Sequence, residues 1–233
     1  MRVAVPNPFA EDRVPGPKRN QPDLRLISGE VPPDTAPTVR RLAVIVAADM
    51  VDYTRHMADD EAGTHARCTA LWRNIVGPGI ARHGGRIYKH TGDGFMAEFS
   101  SATLAVWFAV RFQRAVRAWN ARRARERPIE FRVGINLGDV IADAHDVFGH
   151  SVNIASRLEA IARPGGVLVS HAVFASVRES RLSFDDAGEL SLKNVSEPVR
   201  GFHARLSKPA GRMGRATGLE PVTSRTTTWR SAS

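Results

Sequence analysis

The 233-residue chain has a single cysteine, Cys68, so no internal disulfide can form, and no Cys/His cluster offers a zinc site. Long hydrophobic runs are also missing. The longest, Leu42 to Ala48 and, with only Thr103 inside it, Ala102 to Val110, fall far short of the roughly 18 residues of a membrane-spanning helix. The opening residues MRVAVPNPFAEDR carry no apolar stretch after a basic start, so neither a signal peptide nor a transmembrane segment is expected, and the chain reads as soluble and cytoplasmic. Lysine is scarce: of 33 basic residues only Lys18, Lys89, Lys193 and Lys208 are lysines. What is present is ordinary for a chain that buries a core, with 42% apolar and 24% charged residues. That balance excludes a wholly disordered chain, a collagen and a coiled coil.

The net charge of +9 would point first to nucleic acid or an anionic membrane. Its distribution argues otherwise. Residues 1–39 are net neutral, 40–206 net +5 and 207–233 net +4; within the middle, Arg111 to Arg127 alone holds seven arginines against Glu126. One helix and one tail therefore carry the excess. No aromatic-interleaved basic strand or recognition helix accompanies it, so no specific nucleic-acid partner is expected.

Residues 1–39 contain eight prolines without periodicity and are expected to form a disordered lead-in. LAVIVAAD reads as a buried strand ending at Asp49. A helix is predicted to open at Asp59, Asp60 and Glu61 and run to His83, where Gly84-Gly85 stops it. RIYKHTGDGFMAEFS gives two strands about a Gly-Asp-Gly turn. Ser101 caps a long helix with Leu104, Phe108, Phe112, Val116 and Trp119 at helical spacing. EFRVGINLGDVIAD is read as a strand pair turning at Gly138, and SVNIASRLEAIAR as a helix. The strand VLVS, a short helix and a β-rich stretch complete a unit ending near Leu206, and 207–233 reads as a disordered basic tail. The order predicts an α+β fold with a ferredoxin-like βαββαβ core and a C-terminal α/β extension.

In such a sheet the first and third strands are antiparallel neighbours. Asp49 at the end of one and Asp93 at the start of the other are then brought to one edge. Taken alone, they read first as a strand-end residue and a hairpin turn residue. As a pair, they are two carboxylates that a shared pair of divalent cations would relieve, which is the core of a phosphoryl-transfer centre.

The stretches AVIVAADMVDYT, GGRIYKHTGDGFMAEF, FRVGINLGDVI, DVFGHSVNIASRLEA, PGGVLVS and LKNVSEPV, in this order over residues 40–206, resemble the catalytic domain of class III nucleotidyl cyclases, especially the bacterial adenylate cyclase branch. The resemblance implies that Asp49 and Asp93 bind two divalent cations, Mg²⁺ or Mn²⁺. It makes Lys89 and Asp146 the purine-reading pair, Asn153 and Arg157 the contacts to ribose and reacting phosphate, and Lys193 a lysine near the triphosphate. It also implies a homodimer with sites at the interface, the aspartates from one chain meeting the Asn/Arg helix of the other. The i, i+4 spacing of Asn153 and Arg157 puts both on one helix face, where an amide and a guanidinium can position a sugar and stabilise phosphate charge.

Base choice follows from polarity. A lysine donor and an aspartate acceptor fit N1 and N6 of adenine, whereas guanine inverts both groups, so ATP is expected over GTP. The implied reaction is in-line attack of the ribose 3′-oxygen on the α-phosphorus, giving 3′,5′-cyclic AMP and diphosphate. The alternatives are a catalytically silent nucleotide-binding or regulatory domain and a guanylate cyclase. Two residues depart from the family pattern. Asp52 stands where glycine is common, and is expected to point to solvent; His150 stands beside Gly149 and is expected to be tolerated.

Overall fold

Strand β1 (Val39–Met50) lies inside the sheet and is buried on both faces, as its apolar run requires. Val44, Val46, Ala48 and Met50 enter one core, and Ala43, Ile45 and Ala47 the other. This computed structural model describes residues 39–142, 146–179 and 181–207. The expected lead-in apart from Val39, and the expected tail apart from Ser207, lie outside the described residues.

After β1 come α1 (Tyr53–Asp59), α2 (Glu61–Leu71), a π-helical turn Trp72–Val76 and α3 (Gly77–Arg82). Asp60 starts α2 by accepting the Gly63 amide at 2.9 Å, the capping the acidic run predicted. The short α1 ahead of it was not anticipated, because it is begun by the backbone: the Asp52 carbonyl accepts the amides of Arg55 and His56. Strands β2 (Gly85–His90) and β3 (Phe95–Phe99) form the predicted hairpin. Ser101 caps α4 (Ala102–Ala121), whose Phe108, Phe112 and Val116 are buried while Arg111, Arg114 and Arg117 face out. Leu104, expected on the apolar face, is 41% exposed.

The strand pair expected around Gly138 is instead one continuous strand, β4 (Phe131–Ala142), paired with β1 along its whole length from Val39↔Ala142 to Met50↔Phe131. Gly138 serves helix packing, not turning. A Cβ there would lie 2.3 Å from Ser151 Oγ, and one at Gly134 would lie 2.2 Å from the backbone of Ala155 and Glu159. The two glycines let α5 (His150–Ile161) settle on β4, where the buried Asn136 amide donates to the Ser151 carbonyl at 3.1 Å.

The short β5 (Val147–Phe148) pairs with the end of β4; β6 (Val167–Ser170), α6 (His171–Ser176), β7 (Leu182–Leu190) and β8 (Val199–Leu206) complete the chain's elements. The sheet order is β2-β3-β1-β4-β6-β8-β7. Its first four strands have the ferredoxin-like arrangement, with β1 antiparallel to both β3 and β4. The parallel β4–β6 pair and the β7–β8 hairpin form the C-terminal extension. One sheet face is packed by the first helical segment, α4 and α6; on the other, α5 supplies Ala155 and Leu158.

Candidate active site

The register Ala48↔Phe95 between β1 and β3 makes the Gly-Asp-Gly turn sit beside the end of β1. The turn is closed by the Thr91 amide donating to the Gly94 carbonyl at 3.1 Å. Gly94 is forced: a Cβ there would fall 2.2 Å from the Ala48 carbonyl oxygen and 2.8 Å from Asp49 Oδ1. The absence of a side chain at Gly94 therefore lets Asp93 approach Asp49. Burial first, and then the neighbouring Asp93, push the Asp49 carboxyl up to about 6, with Arg132 opposing.

Arg132 sits opposite Asp49 in the β1–β4 register. With Asp49, Asp52, Tyr53 and Asp93 it lines an open cleft of about 520 Å³. Three acids (Asp49, Asp52 and Asp93) and two arginines (Arg55 and Arg132) thus form a polar concavity where β1 runs into α1. Two half-buried carboxylates that already repel one another are a fitting donor pair for divalent cations. No three His, Cys, Asp or Glu side chains among the described residues cluster closely enough to hold a metal. The remaining ligands would come from phosphate oxygens and water, the usual pattern for Mg²⁺ with a nucleotide.

Lys89 on β2 meets Asp146 at 3.8 Å, so those two expected partners are together. Asp146 Oδ1 also accepts the Val147 amide at 2.8 Å, which fixes its carboxylate. Asn153 and Arg157 share the outward side of α5, whose inward side buries Ser151, Ala155 and Leu158. They do not line the Asp49–Asp93 cleft, and neither do Lys89, Asp146 and Lys193. Lys193 is exposed in a turn where Asn194 takes a left-handed φ of 61° and the Val195 amide returns to the Leu192 carbonyl. His150 is exposed at the start of α5, consistent with a tolerated substitution.

Two residues of this region escaped the sequence reading. Arg132 was legible only through pairing, since its place opposite Asp49 depends on β4 being a single strand. Glu159 follows Arg157 by two residues, about 200° around α5, and so turns back towards the sheet. Burial, then Asp49, pushes its carboxyl up to about 7, with Arg132 opposing. A further carboxylate, beyond the three in the lining, therefore contributes to the field around Asp49.

Comparison with known proteins decides the family. The model of the adenylate and guanylate cyclase catalytic domain matches residues 79–204, more than half of the chain. The chain belongs to this family. The cyclase domain is 39% identical to the crystal structure of an adenylate/guanylate cyclase/hydrolase from Silicibacter pomeroyi, with a TM-score of 0.66, covering 71% of this chain and 97% of that one. The adenylyl cyclase CyaB from P. aeruginosa has the same TM-score at 22% identity, covering 76% and 99%, a likeness of fold. Among curated relatives, the Rhizobium meliloti (strain 1021) protein named "Putative adenylate cyclase 3" is 44% identical over 161 residues, 69% of this chain. The match spans only 27% of that relative, so the cyclase domain corresponds to about a quarter of its length. No helix among the described residues is long and apolar enough to cross a membrane.

Proposed function

We propose that the domain is an adenylate cyclase that converts ATP to 3′,5′-cyclic AMP and diphosphate. The observation that carries this reading is the Asp49–Asp93 pair, held together at the sheet edge with Arg132 beside it. Its identity to relatives named for adenylate cyclase activity supports the choice of reaction.

In this reading Asp49 and Asp93 hold two divalent cations, Mg²⁺ or Mn²⁺. Bound there, the cations supply charge neutralisation for the triphosphate and a lowered pKa for the ribose 3′-hydroxyl. Arg132 adds a guanidinium for phosphate charge at the same edge. Asn153 and Arg157 orient the ribose and stabilise charge building on the α-phosphorus as the 3′-oxygen attacks in line and diphosphate leaves. Lys89 and Asp146 read adenine by donating to N1 and accepting from N6, and Lys193 meets the triphosphate. Among the described residues no histidine lines the cleft, which fits metal activation of the 3′-hydroxyl.

Asn153 and Arg157 lie outside the cleft of their own chain, which suits a homodimer in which they serve the partner's aspartates. The direct test is incubation with ATP and Mg²⁺ or Mn²⁺ and assay of cyclic AMP. Formation is expected, and Asp93→Ala is expected to lower it at least about 100-fold. A wild-type chain that binds metal–ATP but makes no cyclic AMP would sink the reading in favour of a silent nucleotide-binding domain.

A further inference from the structure

Asp52 is the anomaly of the cleft. It has a left-handed backbone, φ 54° and ψ 33°, which a β-carbon disfavours by about 1 kcal/mol or more. The turn needs that conformation, because it lets the Asp52 carbonyl accept the Arg55 and His56 amides and start α1 four residues after Asp49. The residue also lines the cleft assigned above to metal and triphosphate. An unpaired carboxylate there would repel an anionic substrate.

It is not unpaired. Arg127 reaches Asp52 Oδ2 with Nη2 at 3.8 Å and Asp59 Oδ2 with Nη1 at 3.0 Å. One guanidinium thus joins the loop after β1 to the end of α1. Arg127 is itself set from behind. Its carbonyl accepts Arg67 Nη1 at 3.2 Å, and Asn120 clamps the following residues by donating to the Ile129 carbonyl at 2.7 Å. The Val51 amide donates to the Glu130 carbonyl at 2.9 Å, so backbone and side chain tie the same two segments.

We infer that Arg127 is a positioning residue for the cleft: by sharing its guanidinium between Asp52 and Asp59 it draws the Asp52 carboxylate aside and offsets its charge, so that metal–ATP can bind. This rests on the adenylate cyclase reading for the identity of the ligand. The sequence reading sent Asp52 to solvent; its side chain is indeed 59% exposed, but directed by a partner 75 residues away.

The experiment is a double-mutant cycle with R127Q, R127K, D52G, D52N and the doubles D52G/R127Q and D52N/R127Q. It is read as kcat and KM for metal–ATP, and as the calorimetric Kd of the Mn²⁺ complex of an ATP analogue lacking the 3′-hydroxyl. R127Q is expected to raise KM and Kd about 5- to 10-fold with kcat within about 2-fold, and R127K, which lacks the fork, about 2- to 3-fold. In either Asp52 background the R127Q penalty is expected to shrink to within about 2-fold, because the charge it offsets is gone. An equal penalty in those backgrounds, or an unchanged Kd in R127Q, would overturn the inference. If R127Q does not fold, the doubles D52G/R127K and D52N/R127K are compared with R127K, whose penalty should disappear in both Asp52 backgrounds and whose persistence would overturn the inference. A wild-type chain that binds the analogue without making cyclic AMP removes the adenylate cyclase reading alone, and the Kd cycle still judges Arg127. A chain that does not bind the analogue removes both.

Discussion

The carboxylate cleft and the outer side of α5 are built on opposite plans. Asp49 and Asp93 meet across one antiparallel strand pair, brought close by Gly94, and burial together with the neighbouring Asp93 raises the Asp49 carboxyl to about 6. Asn153 and Arg157 instead stand on the open side of a helix whose other side is seated on β4 by Gly134 and Gly138. One set is strained by mutual repulsion within the chain; the other is rigidly presented outward. On the proposed reading, one chain assembles the metal-binding half-site and displays the substrate-orienting half-site without joining them. A second copy would complete both.

The strongest way to break this comparison is complementation. Asp49→Ala and Arg157→Ala are each expected to lower cyclic AMP formation at least about 100-fold. Mixed in equal amounts, half of randomly paired dimers contain one of each, and each such dimer holds one site with all residues intact. Activity is therefore expected to return to about a quarter of wild type. Chromatography that finds mixed dimers without any recovery would mean that the two half-sites do not serve one another.

A smaller effect concerns the Lys89–Asp146 pair, which lies outside the cleft. Asp146→Ala removes the acceptor for an adenine amine and leaves Lys89 with a guanine O6 it can donate to. The ratio of kcat/KM for ATP over GTP is expected to fall about 10- to 100-fold. An unchanged ratio would detach this pair from base recognition.

The same contrast explains how much the sequence revealed. The βαββαβ order, the Gly-Asp-Gly hairpin and the Asp49–Asp93 meeting were legible because each follows from local patterning plus the strand order of one fold. Gly138 misled because glycine marks both turns and close approaches, and only the position of α5 distinguishes them. Arg132 and Glu159 were missed for a related reason: their nearness to Asp49 comes from cross-strand register and helix docking, which no spacing in the chain encodes. Asp52 was seen as a departure, but its partner Arg127 lies on a loop brought close only by tertiary packing.

The smallest expected effect sharpens the view that the cleft is strained without its cations. The Asp49 carboxyl is raised from 3.8 to about 6, so the folded state binds its proton more readily than the unfolded chain. Stability from this group is then fully present below about pH 4 and is lost as pH rises through about 6. Asp49→Asn removes the repulsion at neutral pH and should stabilise the metal-free protein at pH 7.5. The full shift corresponds to about 3 kcal/mol, and solvent screening of a half-buried group reduces the expectation to about 1–2 kcal/mol, or a few degrees in Tm. The gain should vanish towards pH 4, where wild-type Asp49 is protonated. Mn²⁺ should reverse the order at pH 7.5, stabilising wild type and leaving Asp49→Asn nearly unmoved, because the cation supplies the compensation that the substitution made unnecessary. Thermal unfolding at the two pH values, with and without Mn²⁺, reads all four arms. A variant less stable than wild type at pH 7.5 without metal would show that Asp49 is held by favourable contacts and that the cleft stores no repulsion.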